Sequence, residues 1–279
     1  MQQKIKLLIV LLITAISALA QETDSTATSK TDKPERDAFG SPWLIDNPTG
    51  VVASKNTLVF DIMHRFGVIK SGNNDLIGIW GPSNIRLGLS YAISDRITLG
   101  FGTTKNDRLQ DFNLRAALLH QTRSGRVPVS ISFYGNTAID ARESDFFPKS
   151  SNRLSYFSQL IIMRRFSRTM SLQVSPSFSH YNIVDESLSN NQFGLAVGGK
   201  VSISDKTAIL LDYSQPLGQN SDNPGFALGI EMSTSSHAFQ VFIGNYNGIV
   251  PQKNYMLNPN KLSEKEFLIG FNINRLWNF

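Results

Sequence analysis

The 279-residue chain contains no cysteine. Disulfides, thiolate metal sites and cysteine nucleophiles are therefore excluded, and stability must come from the fold alone. After residue 20 there is no apolar run of about 18 residues, the length a membrane-spanning helix needs. No helical 3.6-residue period persists over three turns. The chain has no basic cluster and no basic-aromatic interleaving, and its formal net charge is only +5. Nucleic acid is thereby excluded as a partner. The four histidines, His64, His120, His180 and His237, have no metal-ligand spacing among them. A metal centre needs three or four converging ligands, so no metal and no cofactor is expected.

The first 20 residues, "MQQKIKLLIVLLITAISALA", carry Lys4 and Lys6, then an apolar stretch from Leu7 to Ile16, then the small-x-small site Ala18-Leu19-Ala20. This predicts a cleaved signal peptide over 1–20 and export to a gram-negative-type envelope. No cysteine follows the cleavage site, so a lipid anchor is not expected. Residues 21–50 read as a disordered to irregular periplasmic leader. "QETDSTATSKTDKPERD" is polar and turn-rich, while "AFGSPWLIDNPTG" sets Phe39 and Trp43 among Pro and Gly.

Residues 51–279 read as one membrane domain. From residue 57 the period is two almost everywhere, in twelve runs near 57–67, 84–94, 96–104, 111–122, 127–139, 153–166, 169–182, 191–204, 207–217, 225–234, 237–247 and 266–279. "NIRLGLSYAI" sets Ile85, Leu87, Leu89, Tyr91 and Ile93 opposite Arg86, Gly88 and Ser90. "MSLQVSPSFSHY" sets Met170, Leu172, Val174, Pro176 and Phe178 opposite four serines and Gln173. Two runs are blurred: Leu160 to Met163 is continuously apolar, and so is much of "TAILLDYS". Connections alternate between short ones, such as Ser94-Asp95, Ser167-Arg168 and "RSGR", and longer ones at 68–83, 105–110, 140–152, 183–190, 218–224 and 248–265. An even number of half-apolar strands with one short-turn side predicts an all-β fold: a single transmembrane antiparallel β-barrel of about 12 strands in the outer membrane, with short periplasmic turns and longer extracellular loops.

The face opposite the apolar one carries Asp61, Arg65, Arg86, Arg115, Lys200, Asp212 and Glu231. Charge on a lipid-facing strand middle costs roughly 2–4 kcal/mol, so these seven are candidate lumen residues. They either line a passage or neutralise one another in a filled barrel, and the basic excess of four to three favours anionic solutes slightly. Phe66, Tyr91, Phe112, Tyr181, Phe193, Tyr213, Phe226, Phe239, Trp277 and Phe279 lie near strand ends, where interfacial girdles form. In the closing run, Phe271, Ile273, Trp277 and Phe279 form a candidate signal for the barrel assembly machinery, interrupted by Arg275. Phe39 and Trp43 are candidate plug residues, and the 248–265 loop, with Tyr255 and Met256, is a candidate lid. The glycines Gly194 to Gly199 lie in a strand run, which gives them no nucleotide-binding meaning and points to close packing or a bend.

The stretches "HRFG" (64–67), "NIRLGLSYAISDRITLGFG" (84–102), "RLSYFSQLIIMRRFS" (153–167), "SLQVSPSFSHYN" (171–182), "GFALGIEMSTSSHAFQVFIGNYNGIV" (225–250) and "FLIGFNINRLW" resemble a family of uncharacterised bacterial outer-membrane beta-barrel proteins, classed as a domain of unknown function. The resemblance implies the barrel fold and outer-membrane placement and no activity. The functional expectation is a passive channel or small-solute transporter, with outer-membrane lipid and a small solute as partners. The alternatives are a structural or adhesive barrel with a salt-bridged, filled lumen, and a lipid-modifying enzyme. The last needs a Ser-His pair within hydrogen-bond reach. Ser179 and His180 are adjacent in a strand and so point to opposite faces, and no catalytic residue is assigned.

Overall fold

Strands with one apolar and one polar face satisfy their backbone groups inside a bilayer only by closing on themselves. The computed structural model, which describes residues 32–69, 72–218 and 223–279, has this architecture. The expected signal peptide and residues 21–31 lie outside the described residues. Two short strands, β1 (Trp43–Leu44) and β2 (Asn47–Pro48), precede the barrel. Its strands are β3 (Thr57–Val68), β4 (Asn84–Ser94), β5 (Ile97–Thr104), β6 (Leu109–Leu119), β7 (Ser130–Asp140), β8 (Leu154–Arg165), β9 (Met170–Tyr181), β10 (Asn191–Ser202), β11 (Thr207–Leu217), β12 (Gly225–Ser233), β13 (His237–Gly244) and β14 (Leu268–Asn278). A short helix, α1 (Pro251–Leu257), lies between β13 and β14.

Each barrel strand pairs antiparallel with its neighbour in sequence, and β14 closes the ring on β3 with Ile273 opposite Ile62. The twelve strands match the twelve predicted runs. Alternation settles the two blurred runs. Ile161 and Met163 are buried inside while Leu160 faces out, and Leu210 is buried between the outward Ile209 and Leu211. Leu87, Leu89, Leu99, Ile230 and Val241 belong to the outward apolar belt. Among the described residues no helix is long and apolar enough to cross a membrane, so the strands do the crossing.

Both ends of the barrel chain lie on the side of the short turns, and the long 245–267 segment lies on the other. Besides the segment 245–267, expected at 248–265, two connections depart from the expected lengths. The turn between β6 and β7, read as "RSGR", spans 120–129, because Pro34 bridges to Thr122 and Glu35 N–H donates to Gln121 O. Residues 32–35 of the leader are thus bonded to that turn. The loop between β5 and β6 shrinks to 105–108, because β6 begins at Leu109. Tyr181, read as a girdle aromatic, instead shares the inward parity of Ser177 and Ser179 and pairs with Ser155 on β8.

Candidate functional site

The lumen is built by the inward positions of all twelve strands, and two segments from opposite ends fill it. From the periplasmic side, residues 38–50 enter as a hairpin. Phe39, Trp43, Leu44 and Ile45 are buried, Ile45 completely. From the outer side α1 enters, with Pro251, Gln252, Asn254, Tyr255 and Met256 buried. The Asn254 side-chain amide donates to the Asp46 carboxylate, and the Tyr255 hydroxyl donates to Asn47 Oδ1 at 3.0 Å.

The hairpin is held by side chains of the wall. Trp43 donates its indole N–H to Asp61 at 3.3 Å. Its ring stands edge-on to Tyr134 at 5.7 Å and lies beneath the guanidinium groups of Arg86 and Arg115, each 5.7 Å from it. Gln240 accepts from Ile45 N–H at 3.3 Å and donates to Trp43 O at 2.7 Å, while Asn272 donates to Ile45 O at 2.6 Å. At the tip, Ile45 has φ +56°, a conformation that β-branched residues avoid. It persists because Gln240 and Asn272 fix its amide and carbonyl on both sides. Asp212 accepts from the backbone of Asp46 at 3.0 Å, the backbone of Asn47 at 3.1 Å and the Asn47 side chain at 2.6 Å.

The strand glycines make room for these fillers. A Cβ at Gly198 would collide with Leu44, and one at Gly194 would collide with the Tyr255 ring. The close packing expected of these glycines is therefore against the inserted segments.

Six of the seven candidate lumen residues, Asp61, Arg65, Arg86, Arg115, Asp212 and Glu231, are buried inside the barrel, and Lys200 is half-buried near the periplasmic end. They do not form one site. Arg65 pairs with Asp46 at 3.2 Å. Arg86 pairs in a two-pronged contact with Asp111, at 2.7 and 2.9 Å. Asp61 takes Trp43 and the Asn274 amide, Arg115 donates to Pro42 O at 3.0 Å, and Glu231 accepts from Gln240 at 2.8 Å. Asp46 and Asp111 were not among the candidates. With them the interior holds Arg65, Arg86, Arg115 and Lys200 against Asp46, Asp61, Asp111, Asp212 and Glu231, so the expected basic excess is gone. Asp111, Gln240, Asn272 and Asn274 occupy inward positions of strands already assigned, and parity alone marks them. Asp46 lies outside the alternating runs and carries no such mark.

On the outer rim Lys253 of α1 pairs with Asp107 at 2.6 Å, and Arg142 pairs with Asp140 at 2.6 Å and with Asp107 at 3.4 Å. The Asp140 carboxylate, accepting from Arg142, holds that guanidinium above its ordinary pKa.

Phe271, Ile273 and Trp277 lie outward on β14, and Phe279 is 82% exposed beyond its end. Ser179 is buried in the lumen, while His180 lies on the outer face with its ring nitrogens 2.8 and 3.1 Å from the side-chain oxygens of Asn191 and Asn182. Among the described residues no cluster of three or more His, Cys, Asp or Glu is placed to hold a metal.

Among solved structures the chain is similar to the NanC porin (10% identity, 80% of this chain and 99% of that one, TM-score 0.50) and the KdgM porin (9% identity, 80% and 99%, TM-score 0.48). It is also similar to an outer-membrane channel from Pseudomonas putida F1 (12% identity, 81% and 97%, TM-score 0.49). At such identities the likeness is one of fold alone. No curated protein matches the sequence. The model of the membrane bound beta barrel domain family (DUF5777) matches residues 39–277, inward hairpin and α1 included. The chain therefore belongs to that family and is an outer-membrane β-barrel protein.

Proposed function

We propose that this protein is a gated channel for small solutes, closed in the state described. The observation that carries this reading is the make-up of the plug. Two segments enter from opposite ends and meet through side-chain hydrogen bonds, Asn254 to Asp46 and Tyr255 to Asn47. Such bonds exchange for bonds to water, with a net worth of about 0.5–1.5 kcal/mol for the neutral Tyr255–Asn47 bond and about 1.5–3 kcal/mol for the bond to the Asp46 carboxylate. Beneath the plug the wall is polar and charged, the lining a water-filled passage needs. Phe39 and Trp43 act as the inner plug and the 248–265 segment as the lid. Asp61, Arg65, Arg86, Arg115, Lys200, Asp212 and Glu231 stand on the lumen wall around the plug.

The protein acts without catalysis in this reading, since Ser179 and His180 lie on opposite faces of β9. A permanently filled, structural barrel is the second reading. It is favoured by the dense bonding of Ile45, Gln240 and Asn272. The outward Phe271, Ile273, Trp277 and terminal Phe279 suit recognition by the barrel assembly machinery. Planar-bilayer recording of the full-length protein and of a variant lacking residues 21–50 tests the proposal. Current steps in either support a channel, steps only after truncation make the hairpin the plug, and silence in both leaves the structural barrel.

A further inference from the structure

The plug does not fit its two walls equally well. Against β13 and β14 both ends of the side-chain amides of Gln240, Asn272 and Asn274 have partners, and on β3 only Arg65 Nε lacks one among the inward side chains. Against β8, β9 and β10 the amide nitrogens of Gln159 and Gln173 reach Asn47 Oδ1 at 3.4 Å and Pro48 O at 3.1 Å, but the oxygens opposite them find nothing. Gln159 Oε1, Gln173 Oε1, Gln192 Oε1 and the hydroxyls of Ser175, Ser177 and Ser179 are all buried without a hydrogen-bond partner. All six residues are at least nine-tenths buried. On the plug side of the same seam, Gln252 Oε1 and Asn254 Oδ1 of α1 are also without partners. Eight unpaired acceptors and hydroxyls thus collect along one side of the barrel. An unsatisfied buried polar atom destabilises the fold, so a seam this rich in them is built to be filled by something that bonds to it.

The chemistry of the seam defines the occupant. From Ser155 and Gln192 at the outer end down to Gln173, the inward residues of these three strands carry no carboxylate, ammonium or guanidinium. Arg165 and Lys200 come only at the periplasmic end. The serines and Gln173 repeat every second residue along β9, a ladder about 20 Å long at the rise of an extended strand. Beside it Gly194 and Gly198 leave the wall without side chains, so displacing Tyr255 and Leu44 opens space directly against the ladder. An ion gains no counter-charge on such a wall and loses its hydration. A polyhydroxylated molecule exchanges its water bonds for bonds to hydroxyls and amide oxygens nearly one for one.

We infer that the solute path runs along the inner wall of β8, β9 and β10 and takes uncharged, hydroxyl-bearing solutes of the sugar class. The inference rests on the channel reading and deepens it. Gln240, Asn272 and the charge pairs of the opposite wall hold the hairpin, while the β8–β10 side is where the plug parts.

The test uses the full chain in proteoliposomes, with the lid loosened by N254A/Y255F. Swelling is followed in maltose and in a disaccharide of two uronic acids, and potassium chloride current is recorded in planar bilayers. Maltose is expected to enter about tenfold faster than the di-uronate, and adding S175A/S177A/S179A is expected to remove about that factor from maltose entry. Unchanged β-sheet circular dichroism of the triple variant reports that it is folded. If ions pass but the di-uronate keeps pace with maltose, or if the serine changes leave maltose entry unaltered, the sugar path is wrong and the channel stands. If N254A/Y255F passes neither ions nor solutes, and the truncated protein is silent too, both fall together.

Discussion

Tyr255, inside the barrel on α1, donates its hydroxyl to Asn47 Oδ1 at 3.0 Å across 208 positions of sequence. With the neighbouring Asn254–Asp46 bond, it joins α1 to the tip of the 38–50 hairpin, so neither segment leaves without breaking a bond to the other. The variants Tyr255→Phe and Asn254→Ala each remove one such bond, worth about 0.5–1.5 kcal/mol net for the first and about 1.5–3 kcal/mol for the second, whose acceptor is charged. Together they are expected to raise the frequency of open events in planar bilayers by at least about tenfold. Unchanged opening in the double variant would mean that the lid and plug are not coupled through these residues.

The rim clasp is weaker and should be salt-sensitive. Lys253 meets Asp107 at 2.6 Å with its side chain one-third exposed. Pairs of this kind contribute about 0.2–1 kcal/mol and are screened by salt. The Lys253→Met variant should therefore open more often than the parent at low ionic strength. At about 1 M salt, where the Debye length falls to about 3 Å, the two should converge. A difference that persists undiminished at high salt would assign the effect to packing of the lysine stem.

A third expectation concerns the seat of the plug on β10. Gly198→Val places side-chain atoms where Leu44 lies, an overpacking that costs about 1–3 kcal/mol. In a cylinder of strands that cost falls on the hairpin, the part able to move. The variant should conduct while keeping its β-sheet circular dichroism. Adding Leu44→Ala should restore closure in part, and a double that conducts as freely as Gly198→Val alone would show that Leu44 is not what the valine displaces.

The barrel itself was legible because lipid on one side and polar filling on the other impose a period of two on every strand. Even Leu160 to Met163 obeys it, since Met163 packs in a cluster with Leu44 and Ile45 of the hairpin and Ile161 in one with Trp43 and Tyr255. Parity placed Asp61, Arg65 and Arg86 inside. It could not place Asp46 or Asn254, which belong to non-periodic segments whose positions depend on contacts more than 150 residues away in sequence, such as Asp46 with Asp212 at a separation of 166. The two-residue turn at Ile45-Asp46 carries no local hairpin signal either. Glycine, asparagine or aspartate would be expected at the first turn position, where Ile45 sits at positive φ, and bonds to Gln240, Asn272 and Arg65 explain it.

Arg86 and Asp111 offer the sharpest test of what the interior charges do. The guanidinium donates at 2.7 and 2.9 Å to a carboxylate that also accepts from Asn136 at 3.0 Å, and both residues are buried. Arg86→Met leaves Asp111 charged and without its guanidinium, which costs about 3–5 kcal/mol. Replacing both, as Arg86→Met with Asp111→Leu, removes the desolvated charges together and is expected to recover most of that loss. Urea unfolding from lipid vesicles measures both. If the single variant lost less than about 1 kcal/mol, well below the range for a broken buried pair, water would have to reach Asp111 past Trp43 and Tyr134. The interior on that side would then be wet already in the closed state.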